Sequence, residues 1–380
     1  MSIERQALSK EVARFCGVRA PVGRLRGFRD AGDALGFDPV VWQEMAALGW
    51  AGVHAPEASG GAGLPFGDVC AVVESAARSL VPEPLLTSAL AAVALRSVDT
   101  PAAHDALTAL AERGRLTTVA LFESGRGAAR YEVDALDTRL EVDGSGFRLT
   151  GEKSQVPHAT AAERVVVPAR GPDGAVVLAL VPLDRPGVAV TRQVLLDLRP
   201  VGRVRFESVA VAPDELLATG PAAQLLLEEI AEHGRVALAA ECLGLAQRAF
   251  ELTLEWLKER QQFGVPIGSF QALQHRAAGL YVQLTLLRSA VEATVSALED
   301  PEGTQTRTGH SPTRLVSLAK ALACDTAEHV AREAIQMHGG IGMTDEHDIG
   351  WYLKRARVNA ATLGDAAWHR ARWARLGGYA

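Results

Sequence analysis

The sequence predicts a mixed α+β chain in three parts. A helical N-terminal domain covers 1–115, a middle antiparallel, β-barrel-like domain covers 116–218, and a C-terminal four-helix bundle covers 219–380. Three observations carry this. Apolar residues recur at helical spacing in the first and last thirds. Between about 116 and 215 the texture switches to short apolar runs bounded by Gly, Pro and Asp. A chain of 380 residues, 48% of them hydrophobic, also exceeds what a single core organises.

The elements follow in order. MSIERQALSKEVARFCG interleaves acids and bases at helical spacing. WQEMAALGWAGVHAPEASGGAGL ends a helix, turns at Pro56 and passes through Gly60, Gly61 and Gly63. FGDVCAVVESAARSLVPEPLLTSALAAVAL returns to helix and breaks around Pro82 and Pro84, because proline cannot continue the ladder. The middle part holds TTVALF, TRLEVDGSGFRLTG, RVVVPAR, AVVLALVPL, GVAVTR and VRFESVAV, and EVDGSGFRL reads as a hairpin around its Asp-Gly-Ser-Gly turn. From about 221 onward four or more long helices are divided near Gly264–Gly268, Pro301–Pro312 and Gly339–Gly342. Long antiparallel helices joined by short loops form a bundle.

Charge and cysteine usage narrow the partners. With 39 Lys and Arg against 45 Asp and Glu, the net charge is −6, so there is no broad footprint for nucleic acid and no polybasic patch for a membrane surface. No stretch approaches a membrane span and the N-terminus lacks the apolar core of a secretory signal, so a cytoplasmic location is expected. Cys16, Cys70, Cys242 and Cys324 form no CxxC pair. They read as buried small hydrophobes, with neither a metal site nor a disulfide framework.

Two stretches carry chemistry. In KERQQFGVPIGSFQALQHRAA, 258–278, a helix ends in Arg260, crosses a Gly-Val-Pro-Ile-Gly turn and restarts with Ser269 as the expected cap and Gln271 in the first turn. Helix termini favour anions, and an arginine beside one can grip a pyrophosphate; a plain helix–turn–helix with a surface arginine is the alternative. In EAIQMHGGIGMTDEHDIGWYLKRARV, 333–358, Gln336 and His338 precede Gly339-Gly340-Ile341-Gly342, and paired glycines let a backbone or flat cofactor approach closely.

Together these stretches resemble the acyl-CoA dehydrogenase family. Its R-x-x-F-G-x-x-I-x-x-F-Q element stands here as Arg260, Phe263, Gly264, Ile267, Phe270 and Gln271, and its Q-x-x-G-G-x-G element as Gln336, Gly339, Gly340 and Gly342. LGWAGVHAPEASGGAGL is similar to the family's N-terminal loop, LFESG at 121–125 to its first flavin loop, and LTGEKSQVPHA at 149–159 to its second flavin strand. The resemblance implies FAD shared between neighbouring subunits. Arg260, Phe263 and Gln271, with Gln336, Gly339 and Gly340 of the adjacent protomer, are then expected to hold the ADP half. Phe122, Glu123, Ser124, Gln155 and Pro157 are expected near the isoalloxazine. The family's Thr-Glu-Pro is replaced by Phe122-Glu123-Ser124, so one threonine hydroxyl is missing. An acyl-CoA substrate, an electron-transfer flavoprotein or similar acceptor, and a homo- or hetero-oligomer are implied as partners.

Flavin-linked α,β-desaturation of a thioester needs a carboxylate to remove the α-proton as the β-hydride leaves. The family's usual glutamate position is matched here by Leu363, and the position of the alternative glutamate, used by another branch, by Gly234 before Arg235. Two acids stand as candidate bases. Glu241 lies seven residues beyond Gly234, on the same helix face about 10 Å further along. Its face neighbours are Leu238 and Leu245, and a buried glutamate paired to an arginine across a subunit contact is the competing reading. Asp365 lies two residues after the lost position, and capping the helix AAWHRARW competes with catalysis. His369 is expected on a bundle helix near solvent. Chains with LGD in this turn resemble a bacterial subgroup of sterol and side-chain catabolism, some of whose members form half of an α₂β₂ assembly. Three functions follow: an autonomous FAD-dependent acyl-CoA dehydrogenase, a non-catalytic partner subunit, or a flavin oxidase or monooxygenase on the same scaffold.

Overall fold

The computed structural model describes residues 2–123 and 136–379. Its helices start where the sequence places caps. α1 (Ile3–Arg19) opens on Ser2, and α2 (Arg24–Ala31) leads to α3 (Pro39–Ala47), capped by Asp38. α4 (Phe66–Ala77) and α5 (Leu85–Leu95) are separated at Pro82 and Pro84, and α6 (Pro101–Arg113) opens on Thr100 and stops at Gly114 in the left-handed conformation. The strands are β1 (Thr117–Val119), β2 (Arg139–Asp143), β3 (Gly146–Pro157), β4 (Arg164–Arg170), β5 (Val176–Pro182), β6 (Val188–Val194), β7 (Pro200–Val211) and β8 (Leu216–Thr219). Helices resume with α7 (Gly220–Glu259), α8 (Gln271–Glu299), α9 (Pro301–Thr308), α10 (Pro312–His338), α11 (Ile349–Ala361) and α12 (Ala366–Leu376). This is the expected order of helical, β and helical parts.

By packing, the chain forms two units: Met1–Arg24, Phe66–Val81 and Arg235–Ala380 in one, Leu25–Pro65 and Pro82–Gly234 in the other. The second unit is built on the sheet, in the order β6-β7-β3-β2-β4-β5-β8, with β1 beside β4. The expected hairpin joins β2 to β3, with Asp143 opposite Gly146. The sheet is mixed rather than antiparallel throughout, since β1–β4 and β2–β4 run parallel. Two chain reversals, at the hairpin and after β3, return β4 to the direction of β2. β4 and β5 are buried almost end to end, which is why both read as continuous apolar runs. Leu140, Leu149, Val165, Val177, Val204 and Phe206 anchor the core they share.

In the first unit α10 packs on α8, α11 and α12, and α4 packs on α1 and α8. α7 crosses α4 so closely that a Cβ at Gly244 would lie 1.9 Å from the Glu74 carbonyl oxygen, a contact only glycine permits. Arg5 ties the unit's chain-distant parts together through Asp68 (3.1 Å) and Glu299 (2.7 Å). No helix among the described residues is long and apolar enough to cross a membrane.

Candidate active site

The two bundle corners singled out by sequence meet within one unit. α7 ends just before Arg260, and a short hairpin of Gln261–Gln262 against Val265–Pro266 turns the chain into α8. Ser269 is not the cap of α8: it lies in a single 3-10 turn and its hydroxyl donates to the Pro266 carbonyl (2.8 Å). Phe270 occupies the cap position, so no side chain accepts from the leading amides of α8, where Gln271 is the first residue. The second corner is the end of α10. His338 is buried there, donates from Nδ1 to the Ala334 carbonyl (2.7 Å) and stacks on Trp256 of α7 with centroids 5.3 Å apart. His347 lies 4.5 Å from His338, ring to ring, and the Arg260 guanidinium sits 5.9 Å from the Trp256 ring. Burial holds the His338 imidazole below the ordinary histidine range, and His347 acts in the same direction. Arg276 joins α8 to α10 through Glu333 (2.6 Å).

Both corners present groups that could hold a dinucleotide. Phe263 is 92% exposed and held at φ +56°, an apolar ring displayed on a strained turn. Arg260, Gln271 and Gln336 are exposed, and a Cβ at Gly339 or Gly340 would meet nothing within 4 Å. An exposed guanidinium, uncapped helix amides and an open glycine pair are what a pyrophosphate and a flat ring require.

The residues matched by resemblance to the family's flavin loops belong to the other unit. Phe122 bridges to Ser154, whose amide donates to the Phe122 carbonyl (2.9 Å). Ser154 Oγ is buried with no hydrogen-bond partner, an acceptor and donor available to a ligand. A register shift between Lys153 and Val156 leaves Gln155 at φ +49°, and Thr118 Oγ1 donates to the Pro157 carbonyl (2.6 Å). Ser124 lies outside the described residues. The Glu123 side chain is committed elsewhere: it accepts from Lys153 Nζ (2.5 Å), Thr138 Oγ1 (2.6 Å) and the amides of Asp137 and Thr138. Burial alone would raise the Glu123 carboxyl, but the Lys153 charge and these hydrogen bonds outweigh it and hold it low. Burial in turn pushes the Lys153 amine down to about 8, against the pull of Glu123. The Glu123 carboxylate is thus fully engaged within the protein.

Both candidate bases have structural duties. Glu241 is buried among Leu238 and Leu245 and accepts from Arg355 Nη1 at 2.9 Å. Arg355, 2% exposed, also donates to the Leu80 carbonyl at 3.2 Å, so the pair fastens α7 and α11 to the segment after α4. That arginine belongs to the same chain and the same unit. Asp365 caps α12, accepting from the Trp368 amide (2.8 Å). His369 is not near solvent: it is fully buried and donates from Nε2 to the Leu363 carbonyl (3.0 Å), because α12 turns this face onto α10. Leu363, at φ +57°, is buried as well.

The family pattern described as acyl-CoA dehydrogenase, N-terminal domain, matches residues 2–103, and that described as acyl-CoA dehydrogenase, C-terminal domain, matches 225–377. Acyl-CoA dehydrogenase IpdE2 of Mycolicibacterium smegmatis is 30% identical over 365 residues, covering 96% of this chain and 96% of its own length. The chain belongs to the acyl-CoA dehydrogenase family. Its fold is shared with a variant of the Tcur3481-Tcur3483 steroid ACAD (TM-score 0.85, 33% identity, 99% and 98% of the two chains). It is also shared with a chain of the ChsE4-ChsE5 complex from Mycobacterium tuberculosis (TM-score 0.88, 26% identity, 100% and 98%). As a member of this flavin-dependent family of oxidoreductases, the chain carries site features that the sequence reading passed over. Trp256 was visible only as one more apolar helix residue. Lys153 stood inside the quoted flavin strand, where a lysine among apolar neighbours was the available signal.

Proposed function

We propose that this acyl-CoA dehydrogenase family member takes part in FAD-dependent α,β-desaturation of an acyl-CoA thioester. The observation that carries the reading is the conjunction of the exposed Arg260, Phe263 and Gln271 with the open Gly339-Gly340 corner. Arg260 and the leading amides of α8 would hold the pyrophosphate, and Phe263 and Gln271, with Gln336, Gly339 and Gly340 of the adjacent protomer, the rest of the ADP half. The backbone of Phe122, Glu123 and Gln155, with Ser154 Oγ and Pro157, would orient the ring and shield it from water. FAD, when bound, supplies a hydride acceptor; the protein's part is to hold it and to remove one proton from the substrate α-carbon. An electron-transfer flavoprotein or similar acceptor completes the proposed turnover.

A second reading, that of a partner subunit in a heteromeric enzyme, is favoured by the commitment of Glu241 to Arg355 and of Asp365 to its helix cap. The proton would then be taken by a carboxylate of a second chain. The naming of ChsE4-ChsE5 as a complex is consistent with this. So are the exposed apolar side chains Tyr281, Val282 and Leu286 of α8, each more than half accessible in the single chain, which suits burial against another subunit.

The test is flavin reduction by acyl-CoA in Glu241→Gln and Asp365→Asn variants, expressed alone and with a co-encoded homologue. Loss of a true general base slows reduction about 10²–10⁴-fold with FAD retained. Effects of about twofold in both variants assign the base to the other chain, and a large loss in one returns it to this chain.

A further inference from the structure

The turn that joins α11 to α12 is held from beneath by three buried donors, one from each of three helices. Lys320 of α10 has no solvent contact. Its Nζ donates to the Asn359 carbonyl (2.9 Å) and the Gly364 carbonyl (3.1 Å), with Cys324 Sγ at 3.2 Å. His369 of α12 donates to the Leu363 carbonyl. Arg235 of α7 reaches the same carbonyl from Nε (3.4 Å), its guanidinium lying 5.1 Å from the Trp368 ring. Burial above all, and then the charges of Lys320 and Arg235, push the His369 imidazole down to about 2, so it is neutral and its one proton is fixed on Nε2 by the carbonyl.

Local preference does not account for this turn. Leu363 sits at φ +57°, where a side chain is disfavoured, and Gly364 at φ +102°, where a Cβ would lie 2.6 Å from the Trp368 ring and 2.9 Å from His369 Nε2. A fully buried amine whose hydrogen-bond partners are carbonyls and a thiol, with no carboxylate among them, is costly. Yet it suits the end of α11, where terminal carbonyls concentrate negative charge. The conformation is therefore imposed by the donors rather than chosen by the turn.

We propose that Lys320, acting with His369 and Arg235 through backbone carbonyls, is a positioning residue that sets the 362–365 turn for the acyl-CoA reaction. The inference rests on the dehydrogenase reading above, because the family resemblance matches Leu363, in this turn, to the usual position of the base. It goes beyond it in assigning three buried side chains that act through backbone carbonyls. Lysine matters here for its reach and its three donors; methionine has comparable length and none.

The experiment compares wild type, Lys320→Met and His369→Gln in the flavin-loaded protein, with its partner chain if one is required. Two quantities are read: hydrogen exchange of the peptide spanning 359–369, and the rate of flavin reduction by acyl-CoA. Each variant is expected to speed exchange in that peptide at least tenfold with the rest of the bundle unchanged. Flavin reduction is expected to slow at least tenfold at unchanged FAD content and unchanged half-saturating acyl-CoA. Adding Leu363→Gly to Lys320→Met is expected to restore part of the rate, because glycine adopts the turn without being forced. Unchanged exchange overturns the proposal. So does faster exchange with an unchanged reduction rate, which would leave Lys320 a purely structural clasp. If Lys320→Met does not fold, His369→Gln and its pairing with Leu363→Gly decide the matter alone. A wild type that no acyl-CoA reduces would refute the dehydrogenase reading instead, and the exchange data would still report whether the clasp exists.

Discussion

His369 shows how burial at one residue sets a measurable property of the chain. Its folded pKa, about 2, lies far below the ordinary value of 6.5, and His54 is likewise pushed down to about 4, chiefly by burial. Between pH 6.5 and those values the unfolded chain binds protons that the folded chain refuses, so stability is complete above about 6.5 and falls as the pH drops. The limiting slope is about 1.4 kcal/mol per pH unit for each such histidine. Denaturant melts from pH 7 to pH 4.5 should show this fall, and His369→Gln should lessen the slope by close to one proton. A slope unchanged by the substitution would mean that the imidazole is already accessible to protons in the native state. The sequence placed this histidine on the right helix but on the wrong side of it. Helical spacing around WHRAR does not say which neighbour α12 meets, and Lys320, its electrostatic neighbour, is 49 positions away along the chain. Asp365 was the opposite case. A glycine, an aspartate and two alanines define a helix start locally, so the cap could be read without knowing the tertiary structure.

At the scale of elements, the boundaries were legible wherever proline, glycine or a capping side chain forces them. The break at Pro82 and Pro84, the β2–β3 hairpin and the division near Pro301–Pro312 ahead of α10 are all of this kind. The start of α8 was not, because the serine that fits a cap by composition sits in a 3-10 turn, one position too early. The parallel pairing of β4 with β1 and β2 was hidden too, since pairing partners distant in sequence leave no local mark. The α7–α8 corner carries a direct test. Arg260 is exposed, and a charge-assisted bond to a pyrophosphate is worth roughly 1.5–3 kcal/mol. Arg260→Ala should therefore weaken FAD binding by about one to two orders of magnitude in a dialysis or fluorescence titration, with melting of the FAD-free protein unchanged. Equal affinity in the variant would remove this corner from the cofactor site.

For the whole molecule, the question is whether one chain or two make the enzyme. The family could be read from two motifs because they are short, contiguous and chemically unusual. The state of Glu241 could not be, because Arg355 reaches it across 114 positions and both residues look equally available in the sequence. Glu241 and Asp365 each hold structure together in the scaffold of an acyl-CoA dehydrogenase, the first through Arg355 and the second as a helix cap. The most direct measurement is an anaerobic titration of the purified, FAD-loaded chain, alone and with a co-encoded homologue, against short, branched, long and steroid-type acyl-CoA esters, followed by the flavin's visible absorption. The account predicts that FAD is retained and that at least one ester bleaches it in one of the two preparations. Absence of FAD from both, or a flavin that no ester bleaches in either, would contradict it.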